Sequence, residues 1–196
     1  MNTLDSGHLD NNCDLGQTEI GSQLFVWGKQ TYIMGILNVS PDSFSGDGLY
    51  DNVEMAVRQA LDMEKNGAHI IDVGGESTRP AGTVYGDGAI PVTVDEELRR
   101  VIPLIRSLEK VLTIPISIDT YKASVANEAI TVGASAINDV WSFKRDPNIA
   151  KVAADTGVPI ILTHNQSHTH YHDVLSEVIG DMASSLKDAI GAGISR

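Results

Sequence analysis

Five short apolar runs recur along the chain: Tyr32–Val39, His69–Gly74, Ile114–Asp119, Ala134–Val140 and Val158–His164. Each is rich in β-branched side chains and apolar on both faces, which is how a strand buried within a parallel sheet reads. Amphipathic stretches lie between them. Val53, Ala56, Val57, Ala60 and Leu61 form a helical stripe that Asn66-Gly67 closes. Thr93 and Glu96 make a capping box ahead of Leu98, Val101, Ile102, Ile105 and Leu108. Pro103 falls inside that stripe and is expected to kink the helix or mark an early turn. Asp119-Thr120 is expected to cap a helix running to Val132, and Asn148–Thr156 a short helix ended by Gly157. Leu175, Val178, Ile179, Met182 and Leu186 form a last stripe, to about Gly191. Strand and helix thus alternate five times, which predicts right-handed crossovers and a parallel sheet. A doubly wound sheet and a (β/α)8 barrel both accommodate this pattern.

Residues 1–23 differ. They are rich in Asn, Asp, Gly, Gln and Ser and carry four acids but no Lys or Arg. Such a segment buries too little apolar surface to offset its ordering entropy, so it is expected to be a flexible leader, with 24–196 as one domain. The whole chain, at 42% hydrophobic and 20% charged residues, has a globular composition. Its net charge of −12 repels phosphate backbones and argues against nucleic acid as a partner. A local pocket for a small anion is compatible with that charge. One cysteine, Cys13, excludes an intrachain disulfide and fits a reducing compartment. No apolar stretch is long enough for a membrane span, and the N-terminus resembles neither a secretory signal nor an Arg-rich transit peptide. The expected location is the cytoplasm.

The candidate chemistry lies at the carboxyl ends of the predicted strands, where parallel α/β architectures bind ligands. The first strand runs into Asn38 and a Gly/Pro/Ser-rich loop, the second into Gly74-Gly75-Glu76-Ser77-Thr78-Arg79-Pro80. The next three end in Asp119-Thr120, Asn138-Asp139 and His164-Asn165-Gln166. Any one of these polar residues is accounted for as a turn or cap residue. Five together on the ligand-binding edge point to a site. Asp119 and Asn138, on neighbouring strands, suit the amide and amino edge of a flat heterocycle, because a carboxylate accepts twice and an amide both donates and accepts. Thr78 and Arg79 suit a phosphate-like anion. Asn38 is a neutral oxygen ligand of the kind Mg²⁺ takes when phosphates supply the remaining charge. The two Gly-containing loops have the composition of lids.

The run Met34-Gly-Ile-Leu-Asn-Val-Ser-Pro-Asp-Ser-Phe-Ser45 resembles the first signature of the dihydropteroate synthase family. Ile71-Asp-Val-Gly-Gly-Glu-Ser-Thr-Arg-Pro80 resembles the second. Ser117-Ile-Asp-Thr120 and Ile137-Asn-Asp-Val140 follow in the family's order. The resemblance spans Phe25 to Arg196. It implies a (β/α)8 TIM barrel, of which this chain holds about the first five βα units. It also implies an alkyl/aryl transferase of folate biosynthesis, joining 4-aminobenzoate to (7,8-dihydropterin-6-yl)methyl diphosphate. Carried over by position, Asn38 binds Mg²⁺, Thr78 contacts substrate, Asp119 and Asn138 hold the pterin, and Arg79 meets the diphosphate. Phe44 and Pro80 border the aminobenzoate. The implied partners are these small molecules, with a homodimer left open.

Three departures accompany the resemblance. Ser45-Gly46-Asp47-Gly48 stands where the family more often has Ser-Asp-Gly-Gly, and Thr163-His164 where it has Met-His. The chain ends where the family's sixth strand begins, so a fragment or a truncated product is expected. A catalytically inactive remnant that keeps some pterin binding is therefore one alternative, and a folate-dependent methyltransferase domain another. His168, His170 and His172 alternate in a pattern that can bind Zn²⁺ or Ni²⁺, but no fourth ligand can be placed, and the stretch is expected to be an exposed polar loop leading into the last helix. Asp72 and Glu76 read as structural partners at the second strand, and Trp27 and Trp141 as packing residues.

Overall fold

A computed structural model of the chain describes residues 15–39, 53–77, 91–166, 168 and 170–195. A hairpin comes first, with β1 (Gln17–Ile20) antiparallel to β2 (Gln23–Val26). Gly21, at φ +60°, supplies the left-handed backbone that its two-residue turn needs. The hairpin begins inside the segment expected to be a leader. Its apolar alternation is short, and its contribution to the core rests on Ile20 and Phe25, so composition alone hides it.

Five βα units follow: β3 (Met34–Asn38), α1 (Val53–Lys65), β4 (Ile70–Gly74), α2 (Val94–Leu108), β5 (Ile116–Asp119), α3 (Ala123–Thr131), β6 (Ala136–Asp139), α4 (Asn148–Thr156), β7 (Ile160–Leu162) and α5 (Val174–Gly191). The strands pair in parallel and in strict chain order, β3-β4-β5-β6-β7. Doubly wound sheets reverse their order at a switch point, whereas barrels do not. This order is that of a (β/α)8 barrel, present here as five consecutive units.

Side chains alternate across a strand. On one face Leu37, Ile71, Val73, Ile118 and Ile137 are fully buried and pack with Ala60, Val101, Ile105, Leu108, Val125 and Ile149 of the helices. The opposite face carries the polar residues. Its lower part is sealed by the hairpin, where Ile20 and Phe25 pack on Ile70 and Ala136 beside Tyr32 and Met34. The hairpin thus plugs the end of the sheet away from the polar strand ends.

Local signals explain most element ends. Thr93 caps α2, its side chain accepting from Glu96 N, and Gly157, at φ +70°, ends α4. The helix α2 continues through Pro103 to Leu108. The expected Asp119-Thr120 cap of α3 does not form. The helix instead starts after Lys122, whose N–H reaches Thr120 Oγ1, while the Ala123 N–H is accepted by Asp146 Oδ2 from the next loop. The stripe on α5 is only partly used, with Leu175, Ile179 and Leu186 exposed. Among the described residues, no helix is long and apolar enough to cross a membrane.

Candidate functional site

Strand register sets the site. Asn38 pairs with Gly74, Gly74 with Asp119, and Asp119 with Asn138, so four strand ends present these residues in one row. The row beneath, on the same face, is Ile36, Asp72, Ser117 and Ala136. Gly74 has no side chain, and the space is used by its neighbours. A Cβ built there would stand 2.7 Å from Asn38 Oδ1 and 3.4 Å from Asp119 Oδ2.

Asp72 anchors this arrangement from below. Its Oδ1 accepts from Ser117 Oγ at 2.5 Å and its Oδ2 from Asn138 Nδ2 at 2.9 Å. A carboxylate only accepts, so the bond fixes which edge of the Asn138 amide faces down and leaves the other for a ligand. Burial pushes the Asp72 carboxyl above its ordinary range, against the pull of those two bonds.

Asp119 is the chemically exposed element of the row. Its Oδ1 is buried and has no hydrogen-bond partner among the described residues. Burial, reinforced by the nearby Asp72, Glu97, Asp139 and Glu76 carboxylates, pushes its pKa up to about 8. A buried acceptor without a donor is an unfavourable arrangement that a ligand N–H relieves.

The surrounding loops are braced by further acids. Asp139, on the helix side of β6, accepts from the Trp141 and Phe143 N–H groups at 2.9 and 2.7 Å. It holds a turn in which Ser142 and Phe143 both have positive φ, 49° and 71°. Trp141 lies under the Arg145 guanidinium, 4.2 Å from its centroid. His164, two residues beyond β7, has its Nδ1 2.5 Å from Asp181 Oδ2 of α5 and its Nε2 2.9 Å from Tyr171 OH. Lys144 donates to the same Asp181 oxygen at 2.7 Å. His164 therefore ties α5 to the sheet and stands apart from the row.

A model of the pterin-binding enzymes matches residues 34–196. The chain belongs to the pterin-binding enzyme family. It is 52% identical over 166 residues to a dihydropteroate synthase of Bacillus subtilis, a match covering 85% of this chain and 56% of that protein. Among solved structures it resembles Clostridium difficile dihydropteroate synthase, crystallised with pteroic acid, at 46% identity and a TM-score of 0.79 over 88% of this chain and 63% of that one. It also resembles the Xanthomonas albilineans enzyme, solved with 4-aminobenzoic acid, at 39% identity and a TM-score of 0.81, covering 91% and 63%. The chain thus spans about 60% of the length of these relatives.

Of the residues expected in a pterin-binding site, Asn38, Asp119 and Asn138 come together in the row. Phe44, Thr78, Arg79 and Pro80 lie outside the described residues. His168, His170 and His172 are exposed, and the described residues hold no cluster of three or more metal-ligating groups of the His, Cys, Asp or Glu type. Sequence reading gave Asp72 a structural part but missed that it holds Asn138. The available signal was an acid at the alternate position of an otherwise apolar strand, on the same face as Gly74.

Proposed function

We propose that this chain serves dihydropteroate synthesis, the joining of 4-aminobenzoate to (7,8-dihydropterin-6-yl)methyl diphosphate with release of diphosphate. The observation that carries the reading is the unpartnered, buried Asp119 oxygen beside an Asn138 amide held in one orientation. A pterin ring offers N–H donors and a carbonyl along one edge. Donors to Asp119 would draw its raised pKa back down and favour the carboxylate.

In the reaction the bond between the pterin methylene and the diphosphate oxygen breaks, and its electron pair leaves with the diphosphate. The aryl amine then forms the new C–N bond and loses a proton. Positive charge spreads into the pterin as the diphosphate departs, and an ionised Asp119 at the ring stabilises it electrostatically. In this reading Arg79 receives charge on the diphosphate, Thr78 contacts the substrate, and Phe44 and Pro80 border the aminobenzoate. Asn38 fits Mg²⁺ as one neutral oxygen ligand, since the absent Gly74 side chain leaves its Oδ1 room. The described residues hold no cluster of three or more metal-ligating groups, so diphosphate and water would supply further ligands. When bound, Mg²⁺ offsets leaving-group charge. A cytoplasmic location belongs to the same reading, supported by the lone cysteine.

Melting the chain with and without the pterin diphosphate and Mg²⁺ tests this. Ligand at a hundred times its Kd stabilises by about 2.7 kcal/mol, a rise of roughly 5–10 °C for a chain of this size. Asp119→Ala should abolish the rise, and Arg79→Ala should weaken the diphosphate ligand while sparing a hydroxymethyl pterin. Absence of any shift in the unaltered chain refutes the reading. Formation of dihydropteroate on adding 4-aminobenzoate tests turnover directly.

A further inference from the structure

Glu97 occupies a costly position. It lies on the core-facing stripe of α2, one turn before Val101, and is 1% exposed. An apolar residue there would bury without penalty, whereas a carboxylate needs a partner. Its Oε1 has none among the described residues. Its Oε2 accepts from Lys122 Nζ at 2.5 Å.

Lys122 does more than neutralise Glu97. An ammonium has three N–H donors. The second reaches Val92 O at 2.8 Å, and the third makes an ion pair with Glu76 Oε2. The other Glu76 oxygen accepts from Tyr121 OH at 3.0 Å. All three donors are therefore engaged, in a nearly buried setting where the Lys122 and Glu76 side chains are 11% and 9% exposed. Three elements meet at this nitrogen: the segment leaving β4, the segment leaving β5, and α2 with the residue that precedes its cap. A second link holds the same place, since Arg100 of α2 donates to Gly75 O at 2.8 Å.

The location gives the cluster its meaning. Glu76 stands two residues after Gly74 of the row and two before Thr78 in the sequence, and Lys122 stands three after Asp119. We propose that Lys122 is a positioning residue that, by bridging Glu76 to Glu97, fixes the exit of β4 and so sets affinity for the diphosphate end of the substrate. The proposal rests on the functional reading above. Breaking a buried pair from one side leaves an uncompensated charge. In Lys122→Met the two carboxylates face each other without their cation, and the β4 exit is pushed away from α2.

The test uses the whole chain, with calorimetric titration of two probes in the presence of Mg²⁺: (7,8-dihydropterin-6-yl)methyl diphosphate and 6-hydroxymethyl-7,8-dihydropterin. Two variants are compared, Lys122→Met and the double variant Lys122→Met with Glu97→Gln. The double variant restores the cluster's net charge, which protects folding, but it does not rebuild the bridge. Both variants are expected to lose ten-fold or more in affinity for the diphosphate and to stay within two-fold for the hydroxymethyl pterin. Amide exchange at Gly75–Ser77 is expected to speed up in both. Equal loss for the two probes would make the role merely structural and overturn the proposal. A double variant that binds diphosphate like the unaltered chain would also overturn it, leaving Lys122 only a counter-charge. If the unaltered chain binds neither probe, the functional reading fails, and unchanged exchange at Gly75–Ser77 would then show that Lys122 does not hold the β4 exit.

Discussion

Two adjacent glycines end β4, and adding the same methyl group to each should have opposite effects. At Gly74 the new Cβ would lie 2.7 Å from Asn38 Oδ1. That atom is the tip of a side chain at the open end of the sheet, so the amide can swing aside for about 0.5–1.5 kcal/mol of rotamer strain. Replacing a strand glycine returns roughly 0.5–1 kcal/mol of backbone entropy. The fold should therefore keep its stability to within about 1 kcal/mol. At Gly75 the Cβ would lie 2.7 Å from Val101 Cγ1 and 2.9 Å from Glu97 Cγ. Both atoms belong to buried side chains of α2, and Val101 is fully buried. Overpacking of that kind costs typically 1–3 kcal/mol, or roughly 2–12 °C in Tm.

Function should divide the other way. Gly74→Ala displaces Asn38, the proposed Mg²⁺ ligand, and should weaken Mg²⁺-dependent binding of the pterin diphosphate by ~10-fold or more. The assay is a urea melt of each variant beside a titration with the diphosphate ligand, with and without Mg²⁺. Gly74→Ala should melt like the unaltered chain and lose the Mg²⁺-dependent part of its affinity. If Gly74→Ala instead melts as early as Gly75→Ala, the Asn38 side chain is not free to move and the argument from the row fails. If it melts normally and binds normally, Asn38 does not act where the register puts it.

Two further outcomes concern acids. Asp119 titrates near 3.8 when unfolded and at about 8 in the fold, so the folded state holds the extra proton between these values and stability falls as pH rises across that window. Asp119→Asn removes one titrating group, so its Tm should decline less than that of the unaltered chain between pH 5 and pH 8; a parallel decline would contradict the assignment. Asp181 is pushed up by burial but held below its ordinary range overall by its bonds to Lys144 and His164. Its contribution is present above pH 3.8 and lost as pH falls through its lower folded value. Asp181→Ala should speed amide exchange in α5 at neutral pH, with the difference from the unaltered chain fading in strong acid.

Much of this was legible because strand and helix impose different periods. The apolar runs from Tyr32 to His164 contain all five strands of the parallel sheet, and Thr93 and Gly157 mark helix ends by their own chemistry. The polar strand ends identified Asn38, Asp119 and Asn138 as one group. What stayed hidden depends on partners distant in sequence. The hairpin draws its stability from packing Ile20 and Phe25 on Ile70 and Ala136, which no local pattern reveals. The α3 start is held by Asp146, more than twenty residues away. Glu97 sits next to the Thr93–Glu96 capping box with nothing in the sequence to mark it, yet the helix turns it into the core, where Lys122 meets it.

The acids of this site also explain one another. Asp72, Asp119, Glu76, Glu97 and Asp139 all lie near the polar end of the sheet, and each of the other four raises the pKa of Asp119. Lys122, a cation within that group, is committed to Glu76 and Glu97. Asp72 is stabilised by neutral donors, Ser117 and Asn138, and Asp139 by backbone N–H groups. Among the row's own residues, Asp119 carries a buried oxygen without a hydrogen-bond partner, and Glu97, behind it on α2, is the other acid with one such oxygen. The other carboxylates each have at least one internal donor, and their combined field raises the demand for positive charge at Asp119. A ligand that brings N–H donors, and whose ring becomes more positive as it reacts, meets that demand more fully in the transition state than on first binding. In the proposed reaction that difference would lower a barrier rather than merely tighten a complex.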